Sequence, residues 1–223
     1  LTSADLKVKA PGGIVFGSDK DNTLLSINNL PILQQSIYYN CVSNGGLFLF
    51  ILNRSSLIPI RYEPNNEGWY YCGQNFDTRF VQEITYPTNI NTSPTVPWLY
   101  GRDADGFIKA IQNTNKNDVL VIFNNGYSYK QNWPANLQTY IRDSLHAENI
   151  SNLTNSQQAF LLITKRNSTT PISEKVNLSS AVGSYVSIDT TLTSFYDSGS
   201  LMTGLIGPST KWGKMYFAVD TFL

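Results

Sequence analysis

Five residues in the segment 127–133 have side chains suited to gripping a polar ligand: Tyr127, Tyr129, Lys130, Gln131 and Trp133. Rings of this kind stack on the apolar faces of sugars, while amides and carboxylates take the hydroxyls. Trp98 and Tyr100 sit in a Pro-containing stretch, and Trp69, Tyr70 and Tyr71 follow Asn65-Asn66-Glu67. The chemistry on offer is adhesion without bond making. The same residue types also fill loop-rich surfaces and subunit contacts, so packing and ligand contact both remain open.

Groups that could move a proton are isolated from one another. His146 is the single histidine, and its place at the end of an expected helix suits capping or plain exposure. No Gly-x-Ser-x-Gly run accompanies it, so a nucleophilic triad has no footing. Asp77, in Asn75-Phe76-Asp77-Thr78, lacks the second carboxylate that glycoside hydrolysis needs; a carboxylate accepting backbone hydrogen bonds explains it better. Asp103-Ala104-Asp105-Gly106 and Asp19-Lys20-Asp21-Asn22 alternate oxygen-bearing side chains as calcium loops do. Neither has the closing Glu of an EF-hand, and helix capping and a hairpin turn account for them. No enzymatic activity, metal or cofactor is expected. Cys41 and Cys72 allow one disulfide or two buried thiols, and no Cys-x-x-Cys spacing exists for a zinc knuckle.

The elements that must position these loops are legible between Asp118 and Lys165. Val119-Leu120-Val121-Ile122-Phe123 is a continuous apolar run, expected of a strand buried on both faces, and Asn124-Asn125-Gly126 ends it. A helix follows over roughly 134–146, with Leu137, Ile141 and Leu145 on one face, and Ala159–Ile163 supplies a second buried strand. A shorter helix starts at Asp103 or Asp105 and runs through Phe107, Ile108 and Ile111. Upstream, short strands are expected at 6–8, 14–16, 24–27, 36–42, 47–52, 57–62 and 69–72, separated by Gly-, Pro- and Asn-rich turns in an antiparallel meander. Beyond Lys165, strands are expected at 185–188, 191–195 and 215–219. The class is α/β or α+β, with a mixed, largely antiparallel sheet and two or three flanking helices. Residues 1–180 form the main domain. A β-rich tail, 181–223, packs on it or on a neighbouring subunit.

Composition narrows the setting. The chain has 223 residues, 16 basic and 16 acidic groups, and only 14% charged residues. Asn, Ser and Thr fill that space at about 29%. Neutral hydrogen-bonding surfaces do not repel one another, which suits stacked subunits and work outside a cell or in a particle. Nucleic-acid binding lacks its basic footprint, and the longest apolar run, Leu47–Leu52, is far shorter than the ~20 residues of a membrane-spanning helix. The chain begins at Leu1 without methionine, as a processed product or an excised piece would.

The order of elements resembles the interleukin-like EMT-inducer domain, also called the PANDER-like domain. The resemblance spans about residues 5–180. It rests on Leu6-Lys7-Val8 with Pro11-Gly12-Gly13, the Gly46–Leu52 strand, the Phe-Asp-Thr element at 76–78, the two helices, the Val119–Phe123 strand and the Ala159–Thr164 closing strand. Domains of this kind attached to tail-fibre proteins of large bacteriophages imply a non-enzymatic binding or structural module of a virion appendage. Its partners would be a host-surface glycan receptor and other fibre or virion proteins. The fibre analogy also implies a homotrimer and a virion or extracellular location. The alternative is a secreted cytokine-like or matrix carbohydrate-binding protein. On the first reading the ligand would meet Tyr127, Tyr129, Lys130, Gln131, Trp133, Trp98 and Tyr100.

Overall fold

A computed structural model describes residues 3–12, 23–35, 45–60, 81–84, 104–126, 128, 130, 133–155, 157–181 and 183–194. Nine strands are found among them: β1 Ser3–Pro11, β2 Thr23–Ile27, β3 Leu30–Gln35, β4 Gly45–Leu52, β5 Val81–Ile84, β6 Val119–Gly126, β7 Ala159–Lys165, β8 Ser173–Asn177 and β9 Tyr185–Thr193. Helix α1 is Ala104–Gln112, and α2 is Ala135–Thr139, which continues as a π-helical turn, Tyr140–Ser144. A short 3-10 turn covers Asn149–Asn152. The expected α+β class is what is found. Its strands are divided between two sheets, β3-β2-β1-β9 and β5-β4-β6-β7-β8, with every described pairing antiparallel.

The five-stranded sheet is the middle layer, and this explains the unbroken apolar runs. Phe48, Phe50, Leu52, Val119, Val121, Phe123, Leu161 and Ile163 point to the four-stranded sheet. Their neighbours Leu47, Leu49, Ile51, Leu120, Ile122, Phe160 and Leu162 point to the helices. Successive strand residues face opposite ways, so a strand covered on both sides must be apolar at every position. Phe48 and Phe123, direct partners across β4 and β6, meet edge to face at 5.4 Å.

The four-stranded sheet has one wet face, and its sequence alternates accordingly. Ala4, Leu6, Val8 and Ala10 of β1 are buried with Val186, Ile188 and Leu192 of β9. On the outer face Lys7 pairs with Asp189 at 3.7 Å, and the Thr191 hydroxyl donates to Asp5 at 2.8 Å. Strand β9 pairs with β1 along the full length of both, so residues 185–193, placed in the tail by sequence, share a sheet with the chain's first described strand. The expected break between two strands at 189–190 is absent, and β9 is continuous.

Other elements differ from expectation for local reasons. The sequence shows no strand at 30–35, yet β3 folds back from β2 through Asn28-Asn29, whose φ values of 50° and 63° match a two-residue hairpin turn. Pro31 is tolerated because β3 is an edge strand and carries a bulge at the adjacent Ile32. The strand expected at 57–62 reduces, over its described part, to one bridge between Leu52 and Pro59. Asn53 Oδ1 there accepts from the amides of Ser55 and Ser56, winding the chain into a turn, and Leu57 is left-handed at φ 55°. The expected strands at 14–16, 36–42, 69–72 and 215–219 lie outside the described residues, as do Cys41, Cys72 and Asp77.

The helical layer follows the apolar spacing. Leu137, Ile141 and Leu145 are all fully buried, beside Phe107 and Ile111 of α1. Asp105 lies in the first turn of α1, where a carboxylate favours the helix dipole, and accepts from Asn136 Nδ2 at 2.7 Å, joining α1 to α2. After the π turn, whose Leu145 amide donates to Tyr140, His146 takes φ 56° and ends the helix. No described helix is long and apolar enough to cross a membrane.

Two buried polar contacts tie the layers. Asp118 accepts from the amides of Arg54 and Asn115, each at 3.0 Å, and so fixes the turns at one end of β6. At the other end Asn124 donates through Nδ2 to the Pro11 carbonyl at 2.8 Å and accepts from the Phe160 amide at 2.5 Å. Beside it Gly12 donates to Ser184 O at 2.8 Å, and a Cβ there would stand 2.4 Å from the Gln157 carbonyl. Replacing Asn124 by Leu leaves two buried backbone groups without this partner and is expected to cost about 3 kcal/mol. Gly12→Ala is expected to cost about 2 kcal/mol through overpacking. Urea denaturation of each variant checks both values.

Candidate functional site

Among the described residues, two surfaces carry ligand-type side chains. In the first, the loop after β6, Trp133 is only 3% exposed and belongs to the helix-side core. Its Nε1 donates to the Ser128 carbonyl at 2.7 Å. Gln138 donates through Nε2 to the Trp133 carbonyl at 2.7 Å and accepts from Lys130 Nζ at 2.9 Å. The Lys130 ammonium is also 5.8 Å from the Trp133 ring centroid.

These bonds close a ring of contacts that pins the loop to the start of α2. Of the two readings left open for Trp133, packing is the one found: a ring this deep, with the Lys130 ammonium over it, offers no platform for stacking. Lys130 remains partly exposed, and burial of the rest lowers its pKa below the ordinary 10.5. Tyr127, Tyr129, Gln131, Trp98 and Tyr100 lie outside the described residues.

The second surface is the seam where the outer edge of β8 meets β9. A groove of about 580 Å3 opens there. Its floor is self-satisfied: Lys175 Nζ donates to Ser187 O at 2.9 Å, and Asn177 Nδ2 donates to Tyr185 O at 3.0 Å. Glu174 is held in one orientation by Asn149 Nδ2 at 3.0 Å and the Ile150 amide at 2.9 Å. Tyr185, 49% exposed, and Leu178, 50% exposed, supply ring and alkyl surface, and Lys9 Nζ lies 4.6 Å from the Tyr185 ring centroid.

The seam escapes a sequence reading because Ser173–Asn177 carries one apolar residue, Val176, so strand periodicity has nothing to register. Among the described residues, two further charged groups serve structure. Asp118 is spent on backbone amides. The Arg142 and Asp143 side chains bind each other in the open, where the guanidinium holds the Asp143 carboxyl low. No three metal-binding side chains cluster among the described residues.

Two measurements probe this geometry. Because folding lowers the Lys130 pKa, the unfolded chain binds its proton more tightly. Its contribution to stability therefore rises as pH increases from the lowered folded value toward 10.5. Lys130→Met is expected to remove that rise, read as the difference between wild-type and variant urea midpoints at pH 8 and at pH 10. His146→Gly removes a left-handed cost of about 1 kcal/mol, partly offset by the freer unfolded chain. A net stability gain of about 0.5 kcal/mol is expected in the same assay. No family model and no curated protein sequence matches the chain.

Proposed function

We propose that the chain is a non-enzymatic binding or structural module of a phage tail fibre or similar virion appendage, with a host-surface glycan as its receptor. The observation that carries the binding half is the β8–β9 groove, where amide, hydroxyl and ring groups stand on a frame anchored by a doubly buried sheet. Such a frame lets side chains meet a ligand without reorganising, which lowers the cost of association.

The virion half is supported by the neutral Asn/Ser/Thr-rich composition and by the resemblance in element order to domains attached to tail fibres. Weak single-site sugar affinity becomes useful when copies are joined, because later contacts form at high effective concentration. A homotrimer meets that need, with other fibre proteins as its partners.

Light scattering on the eluting protein is expected to give a trimer mass, and a glycan array is expected to give signal on uncharged saccharides. A blank array would remove receptor recognition and leave the structural role. A monomer with Cys41 bridged to Cys72 would favour a secreted factor instead.

A further inference from the structure

We infer that the β8–β9 groove is the saccharide site, with the Tyr185 ring as its stacking surface and the Glu174–Asn149 pair as its hydroxyl-binding edge. The inference rests on the glycan-binding reading above and moves the contact from the aromatic loop at 127–133 to the seam. Three observations define the occupant.

The groove lining has one carboxylate and one ammonium, Glu174 and Lys175, with the Lys9 ammonium at the Tyr185 ring beside it, so no strong field of one sign selects a charged ligand. An extended peptide would recognise β9 through its outward carbonyls, and those of Tyr185 and Ser187 are already taken by Asn177 and Lys175. What remains is recognition by side chains. A half-exposed ring beside Leu178 offers an apolar surface, and a carboxylate preset by Asn149 and Ile150 offers acceptors at its margin. A neutral polyol ring with one C–H face and a rim of hydroxyls has the complementary pattern.

The test is titration of the isotope-labelled full chain with maltotriose, lactose and chitotriose, read from backbone amide shifts. At least one sugar is expected to give saturable shifts concentrated at residues 174–177 and 185–187. Tyr185→Phe keeps the ring and should bind within about twofold of wild type; Tyr185→Ala should bind at least about tenfold more weakly. Tyr185 is exposed enough that both variants are expected to retain wild-type amide dispersion.

Saturable shifts confined to other residues, unchanged affinity in Tyr185→Ala, or no saturable shift with all three sugars would each overturn the assignment. A positive array alongside shifts elsewhere would overturn the placement alone and leave the glycan-binding reading standing.

Discussion

Apolar burial holds the two sheets together, but burial has no direction and cannot set how far one sheet slides over the other. The Asn124 amide supplies that direction. Its nitrogen reaches the last residue of β1 in one sheet, and its oxygen takes an amide of β7 in the other. A single side chain thereby fixes the offset between layers at one point. Gly12, the next residue after β1, has to lie against the Gln157 carbonyl for that contact to form, and only a residue without Cβ fits there. The β8–β9 seam inherits its geometry from this corner, because Ser184, which accepts from Gly12, immediately precedes β9.

The middle sheet is the other organising feature. Its central strands β4, β6 and β7 are dry on both faces, so they can carry almost nothing polar except where a specific partner waits. The ligand-type groups are correspondingly displaced to its margins: to the loop beyond β6, and to β8, its polar edge. The outer sheet shows the opposite economy, with Asp5, Lys7, Asp189 and Thr191 pairing across one wet face while the alternate residues serve the core. Two kinds of strand, continuous and alternating, therefore mark two kinds of layer.

That distinction was legible in the residues. Val119–Phe123 and Ala159–Ile163 announce double burial, and the four-residue spacing of Leu137, Ile141 and Leu145 announces a core-facing helix. The antiparallel pairing of β6 with β7 was not legible, because an apolar run says a strand is covered without saying which way its neighbour runs. The choice between packing and ligand contact at Trp133 was not legible because residue type does not report depth: a Trp whose N–H finds a carbonyl, here Ser128, is as comfortable inside as out. Strand β8 and the seam depend on contacts far apart in sequence, between 174 and 149 and between 175 and 187, which no local pattern encodes.

The π-helical turn after α2 has a meaning of its own. On an ordinary helix of 3.6 residues per turn, a stripe repeated every four residues creeps around the axis by about 40° at each step. Hydrogen bonds reaching one residue further open the turn and bring such a stripe nearer to vertical, so Leu145 can stay in line with Leu137 and Ile141. The widened turn thus works as a vernier between the helix's natural pitch and the spacing of its apolar residues. Its cost is met by the sheet beneath it, which makes this local geometry a property of the assembled fold and not of the segment that adopts it.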